Sequence, residues 1–98
     1  MAILGTFTMQ PADEWDYDID YSDWLPESDG LSESTPPEVV ISPEGLTAES
    51  ITRDYDNKRV KIWLLGGEDG QRYKVEVTTR SREGRVRQDE FYIIVRDF

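Results

Sequence analysis

Beyond Pro37, apolar and polar residues alternate with a period of two, the repeat expected of a strand that buries one face. Val60, Ile62 and Leu64 share one side of such a run, Tyr73, Val75 and Val77 of the next, and Phe91, Ile93 and Val95 of the last. Lys61, Lys74, Glu76 and Arg96 fall on the opposite faces, as in antiparallel sheets with one solvated side. The pattern predicts strands over 38–42, 46–53, 59–65, 72–80 and 87–96. The turns between them fall at Pro43-Glu44-Gly45, 54–58, 66–70 and 81–84, where Gly, Asn, Asp and Pro suit the required backbone conformations. Short strands separated by turns every eight to twelve residues predict an all-β fold, an immunoglobulin-like β-sandwich. The nine apolar residues named above are its expected core.

Before Pro37 the pattern differs. From Asp13 to Pro37 the chain is Asp, Glu, Ser and Pro broken by single large apolar residues, and Pro36-Pro37 interrupts regular structure because proline lacks a backbone donor. This predicts an extended acidic N-terminal arm over residues 1–25 and a sandwich domain over 26–98. Inside the arm Trp15, Tyr17, Ile19 and Tyr21 alternate with Asp16, Asp18 and Asp20, which satisfies the strand template for seven residues. Such a stretch can pair with a partner's surface or sheet edge, or fold back as an extra strand on its own domain. Large aromatics are costly to leave in water and are enriched at interface hot spots. Trp15, Asp16, Tyr17, Asp18, Ile19, Asp20, Tyr21 and Trp24 are therefore the expected partner-binding residues. Trp63, inside a predicted strand, reads as a packing residue.

Charge sharpens the division. Residues 1–50 hold twelve Asp or Glu and no Lys or Arg, whereas residues 51–98 hold nine acidic and eleven basic residues, so a formal charge of -10 conceals a first half at -12. Self-repulsion of that half argues for an arm that stays open, and its chemistry suits a basic protein surface better than nucleic acid. There is no Cys or His, which removes disulfides, the usual zinc ligands and the usual neutral-pH general base. The longest apolar runs are far short of the ~20 residues of a membrane helix, and no positive charge precedes the first apolar residues, which predicts no secretory signal and a product kept in the cytoplasm or assembled there.

Three constellations suggest chemistry and fit it poorly. The carboxylates of 13–23 resemble a calcium loop, yet counting from Asp16 the sixth and twelfth positions hold Tyr21 and Glu27 where a calcium loop of the helix-loop-helix type needs Gly and Glu. Paired carboxylates can hydrolyse glycosides, but a domain this small lacks the long loops of a cleft. The run from Gly66 to Gly70 has neither the Lys-Ser/Thr nor the helix of a phosphate loop. No catalytic residue, metal or cofactor is expected.

Pro11-Ala12-Asp13 and the stretch from Asp16 through Leu25, then Gly45-Leu46-Thr47, the run from Val60 to Gly67, Gly70, Tyr73-Lys74-Val75 and Asp89-Glu90-Phe91, resemble the fibre-tail adaptor proteins of tailed bacteriophages. The resemblance implies a non-enzymatic virion component of the tail, present in several copies, that joins tail fibres to the tail and is assembled in the bacterial cytoplasm. The implied partners are tail proteins, the fibre and further copies of the chain, with neither nucleic acid nor membrane. The residues alone also admit an acidic DNA mimic that fills the basic groove of a nucleic-acid-binding host protein, and a carbohydrate-binding module.

Overall fold

The computed structural model describes residues 2–56 and 58–97. Met1 of the expected arm, Asn57 of the expected 54–58 turn and Phe98 of the expected domain lie outside the described residues. The described residues are all-β, with seven strands: β1 (Ala2–Met9), β2 (Glu14–Asp20), β3 (Glu38–Ser42), β4 (Leu46–Asp54), β5 (Arg59–Gly66), β6 (Arg72–Arg80) and β7 (Val86–Val95). The last five follow the sequence pattern to within a residue at each end. They form a four-stranded sheet in the order β1-β7-β6-β3 and a three-stranded sheet in the order β2-β5-β4. Every pair is antiparallel except β1 with β7, which is parallel.

The alternation of β5, β6 and β7 decides how the sheets meet. All nine expected core residues are buried, and they join Met9, Ile19, Tyr21, Leu25, Leu31 and Leu46 in one cluster fed by both sheets. Each aliphatic or aromatic side chain so buried contributes roughly 1.5–3 kcal/mol, so the inward faces hold the two layers together. Gly67 is required where β5 turns back. Its φ of +94° suits glycine, and an added Cβ would sit 2.7 Å from the Val95 side chain. Trp63 corrects the expectation of a packing residue: paired with outward-facing Asp16 of β2, it lies half-buried on the outer face of the three-stranded sheet.

The expected division into an arm over 1–25 and a domain over 26–98 is corrected. β1 closes one side of the four-stranded sheet and β2 closes the same side of the three-stranded one, so both halves of the supposed arm are strands of the fold. Met9, Ile19, Tyr21 and Leu25 reach the shared core. The argument from self-repulsion fails because the cations of the second half meet the carboxylates of the first. Lys61 of β5 is 3.5 Å from Asp16, and Arg59 is 3.8 Å from Asp20. These are exposed pairs of small individual worth, and they offset part of the charge penalty of laying an acidic strand on the sheet.

After β2 the chain crosses from one sheet to the other. The Tyr21 N–H donates to the Lys58 carbonyl at 2.8 Å, and the buried Tyr21 and Thr79 hydroxyls share a hydrogen bond of 2.8 Å. Burial pushes the Tyr21 phenol up to about 12, against the opposing Thr79 hydrogen bond, so it is neutral at physiological pH. Further on, Asp29 is completely buried. Burial alone would raise its pKa. Hydrogen bonds from the Ser81 hydroxyl, the Arg85 guanidinium at 2.7 Å and the N–H groups of Gly30 and Glu83 outweigh that cost and hold it well below the ordinary carboxylate range. Asp29 thus ties the crossing loop to the turn between β6 and β7, and nothing in the acidic run around it distinguished it in the sequence.

Two outcomes follow from this packing. Tyr21→Ala should cost about 3–5 kcal/mol in urea denaturation, the range for truncating a buried aromatic, and removal of residues 1–25 should leave a chain without the β circular dichroism of the intact protein. The second concerns pH. The Asp29 pKa is lower folded than unfolded, so its contribution is fully present above the unfolded value near 3.8 and is lost as pH falls through the folded value. Asp29→Asn should lower the melting temperature at pH 7 by several degrees and flatten the loss of stability below about pH 4, as read from melts across that range.

Candidate functional site

Because β1 and β2 end different sheets, the short connection at 10–13 has to step from one layer to the other. It is fixed by the Asp13 carboxylate, which accepts from the Gln10 N–H at 3.0 Å, while the Asp13 N–H donates to the Gln10 carbonyl. Beyond it the two strands run side by side without pairing, and a slit opens between them. Its floor is aromatic. The Phe7 and Tyr17 rings are 5.2 Å apart, and both lie against buried Phe91, at 6.1 and 5.5 Å.

A depression of about 500 Å³ lies at the connection end, bounded by Thr6, Phe7, Thr8 and Met9 of β1, by Asp13, and by Trp15 and Tyr17 of β2. Smaller hollows continue along the slit past Leu4, Asp18 and Asp20 to Asp23, Trp24 and Arg87. Trp15 is 60% exposed, Leu4 43% and Phe7 41%. Such large apolar surfaces gathered along one slit are unlike singly scattered exposed residues, and they mark a place where another molecule can sit.

The pleat of β2 divides the eight expected partner-binding residues. Trp15, Tyr17 and Ile19 oppose Leu64, Ile62 and Val60, and so face inward, whereas Asp16, Asp18 and Asp20 oppose Trp63, Lys61 and Arg59 on the outer face. Ile19 and Tyr21 are buried and belong to the core, not to a free surface. Trp24 is half-buried, its ring edge-on to Tyr21 at 5.7 Å with the Arg87 guanidinium over it, also at 5.7 Å. Arg87 in turn donates to buried Asp89 at 3.1 Å. The structure therefore brings together Trp15, the exposed edge of Tyr17 and Asp13 at the slit, while on the outer face Asp16 is engaged by Lys61, Asp20 lies near Arg59, and Asp18 borders a hollow shared with Arg53, Arg59 and Lys61.

Electrostatics of the slit are acidic at neutral pH. Hydrogen bonds from the Ser22 hydroxyl and N–H, with Arg59 nearby, hold the Asp20 carboxyl below its ordinary value. Burial, then Asp13 and Asp16, pushes the Tyr17 phenol up to about 12, so the floor of the slit stays uncharged. Among the described residues no Lys or Arg forms an ion pair with Asp13, Asp18 or Asp23. Elsewhere on the surface, the Glu14 carboxyl shares a hydrogen bond with Glu49 beside Trp63 and raises its pKa, an open and shallow place.

Leu4, Phe7 and Met9 contribute to the slit from within the expected extended arm, where the sequence pattern does not single them out. The signal was present in the alternation of Thr6, Phe7, Thr8 and Met9, too short to stand out without the neighbouring strand. The arrangement provides an apolar floor with Asp13 at its connection end.

Comparison with known proteins adds three findings. The family model described as podophage GP4 fiber-tail adaptor protein gp77 matches residues 9–94. Among curated proteins none matches. Among solved structures, the solution structure of amebosin is similar, with a TM-score of 0.50 and 14% sequence identity over 97% of each chain; at that identity the likeness concerns the fold alone.

The ion pairs across β2 and β5 predict a small energy. A double-mutant cycle with Asp16→Asn and Lys61→Met should return a coupling of about 0.2–1 kcal/mol that shrinks in high salt, as for exposed pairs. A coupling of several kcal/mol in thermal or urea melts would instead make this pair the main anchor of β2.

Proposed function

The chain belongs to the podophage fibre-tail adaptor family, and from that membership we propose that it is a non-enzymatic component of the virion tail that joins fibres to the tail. The observation that carries this reading is a family match spanning residues 9–94, which takes in all of β2 and, of β1, Met9 alone. In this reading the protein is assembled in the bacterial cytoplasm, is present in several copies, and has tail proteins, the fibre and further copies of itself as partners.

The docking surface is the slit between β1 and β2. Trp15, Tyr17 and Phe7 supply the apolar contact, Asp13 at the connection end meets a basic side chain of the partner, and Asp18 on the outer face of β2 steers a basic partner toward the slit. This replaces a free arm by a preformed groove, which spares the partner the entropy of ordering a loose segment. Strand order supports an immunoglobulin-like sandwich as the frame. β2-β5-β4 and β7-β6-β3 correspond to the B-E-D and G-F-C sets of that fold, with the first strand moved to the edge of the last. The alternative of a DNA mimic loses ground because Asp16 and Asp20 are each close to a cation of the same chain, so the acidic row on β2 is partly neutralised from within.

Incorporation of tagged variants into tails assembled without the native protein tests the reading. Trp15→Ala should weaken attachment by about 2 kcal/mol or more, as truncation of a central aromatic does. Asp18→Asn should cost less and act mainly on association rate and salt dependence. Full incorporation of Trp15→Ala moves the docking surface elsewhere on the molecule, and failure of the unaltered protein to enter tails removes the adaptor role.

A further inference from the structure

Four strands end the two sheets: β1 and β3 in one, β2 and β4 in the other. An edge strand presents unpaired N–H and C=O groups, and proteins ordinarily blunt it with charges, bulges, prolines or short length. Three of these edges are blunted. β3 has five residues set between Pro36-Pro37 and Pro43. β4 breaks register between Ala48 and Ser50, with Glu49 at the break, and ends on Arg53 and Asp54. β2 places Glu14, Asp16, Asp18 and Asp20 at alternate positions.

β1 is the exception, since its eight residues include no charge and no proline. Its register shifts only between Ile3 and Thr6, around Gly5, whose φ is +149°. Beyond that point residues 6–9 run evenly against Tyr92, Ile93, Ile94 and Val95. The regular, unprotected stretch of edge is therefore the same stretch that walls the 500 Å³ depression.

We infer that residues 6–9 of β1 are a pairing edge for an extended segment of a different protein, one with an apolar side chain flanked by Lys or Arg. This rests on the docking role proposed above and adds the backbone that docks and the chemistry of what docks. The added strand takes the free edge of β1 by main-chain hydrogen bonds, spanning about 13 Å for four residues. Its apolar side chain enters between Phe7, Trp15 and Tyr17, and a basic flank faces Asp13, which borders the same depression. Charge disfavours a second copy as the occupant of this edge. Pairing β1 with β1 of another copy would bring two acidic rims together, and residues 1–50 contain no Lys or Arg to relieve them.

Two synthetic peptides test the inference, each carrying Thr-Val-Thr-Leu, one between paired lysines and the other between paired glutamates. The lysine-flanked peptide should shift Trp15 fluorescence, slow amide exchange of residues 6–9, and bind at least tenfold more tightly than the glutamate-flanked one. Trp15→Ala, which alters an exposed side chain, should weaken it at least tenfold, while Val40→Ala on the opposite edge should leave it unchanged. Equal binding of the two peptides, protection at β3 or β4 in place of β1, or no protection of any edge overturns the inference. If the peptides fail while Trp15→Ala still drops out of assembled tails, the edge inference falls and the adaptor role stands. If the lysine-flanked peptide pairs with β1 while the unaltered protein never enters tails, the edge inference holds and the adaptor role falls.

Discussion

The fold depends on what pairs with β5. Val60, Ile62 and Leu64 are fully buried, yet their strand belongs to a sheet of only three, so a neighbour is needed on each side to shield the backbone and complete the apolar face. β4 supplies one side. The other is supplied by the most acidic segment of the chain, which would be a poor choice by hydrophobicity alone. The pairing works because the outward positions of β5 opposite that segment are Arg59 and Lys61 while the inward ones face Ile19 and Tyr17. A single register satisfies both faces at once, and a slip by one residue would put aspartates into the core.

From that pairing the remaining architecture follows. With β2 committed to the three-stranded sheet and β1 to the four-stranded one, the chain between them spans the layers, and after β2 it has to cross back. Tyr21 and Asp29 secure that second crossing through Thr79 and through Arg85 with the turn around it. A buried carboxylate is tolerated because its oxygens are met by a guanidinium and by backbone donors, whereas removing those partners would leave an uncompensated charge. The acidic half is consequently held by specific hydrogen bonds at one end and by sheet pairing in the middle.

The same commitment of β1 and β2 to separate layers creates the slit. Two edges lying side by side without pairing leave aromatic side chains partly covered, with Asp13 at the lip where the strands connect. A groove formed in this way is rigid on both walls, because each wall is a strand hydrogen-bonded to a central neighbour. It suits an adaptor, whose work is to hold a partner in one orientation instead of transforming it.

The sequence by itself determined the strands after Pro37, their inward residues and the all-β class, because a period of two over five to ten residues is a local property that the backbone converts directly into two faces. It also contained the alternation of Trp15, Tyr17, Ile19 and Tyr21, which marks β2 but not the β1 residues that wall the slit with it. What the tertiary structure alone decided was where that alternation points. Whether Ile19 and Tyr21 meet a partner or their own core depends on Arg59 and Lys61, some forty residues away, offering a register that neutralises Asp16 and Asp20. Local composition carries the repulsion within residues 1–50 but not the cations that the fold brings beside them, so a charge count taken along the chain predicts an open arm where the folded charge distribution produces a strand.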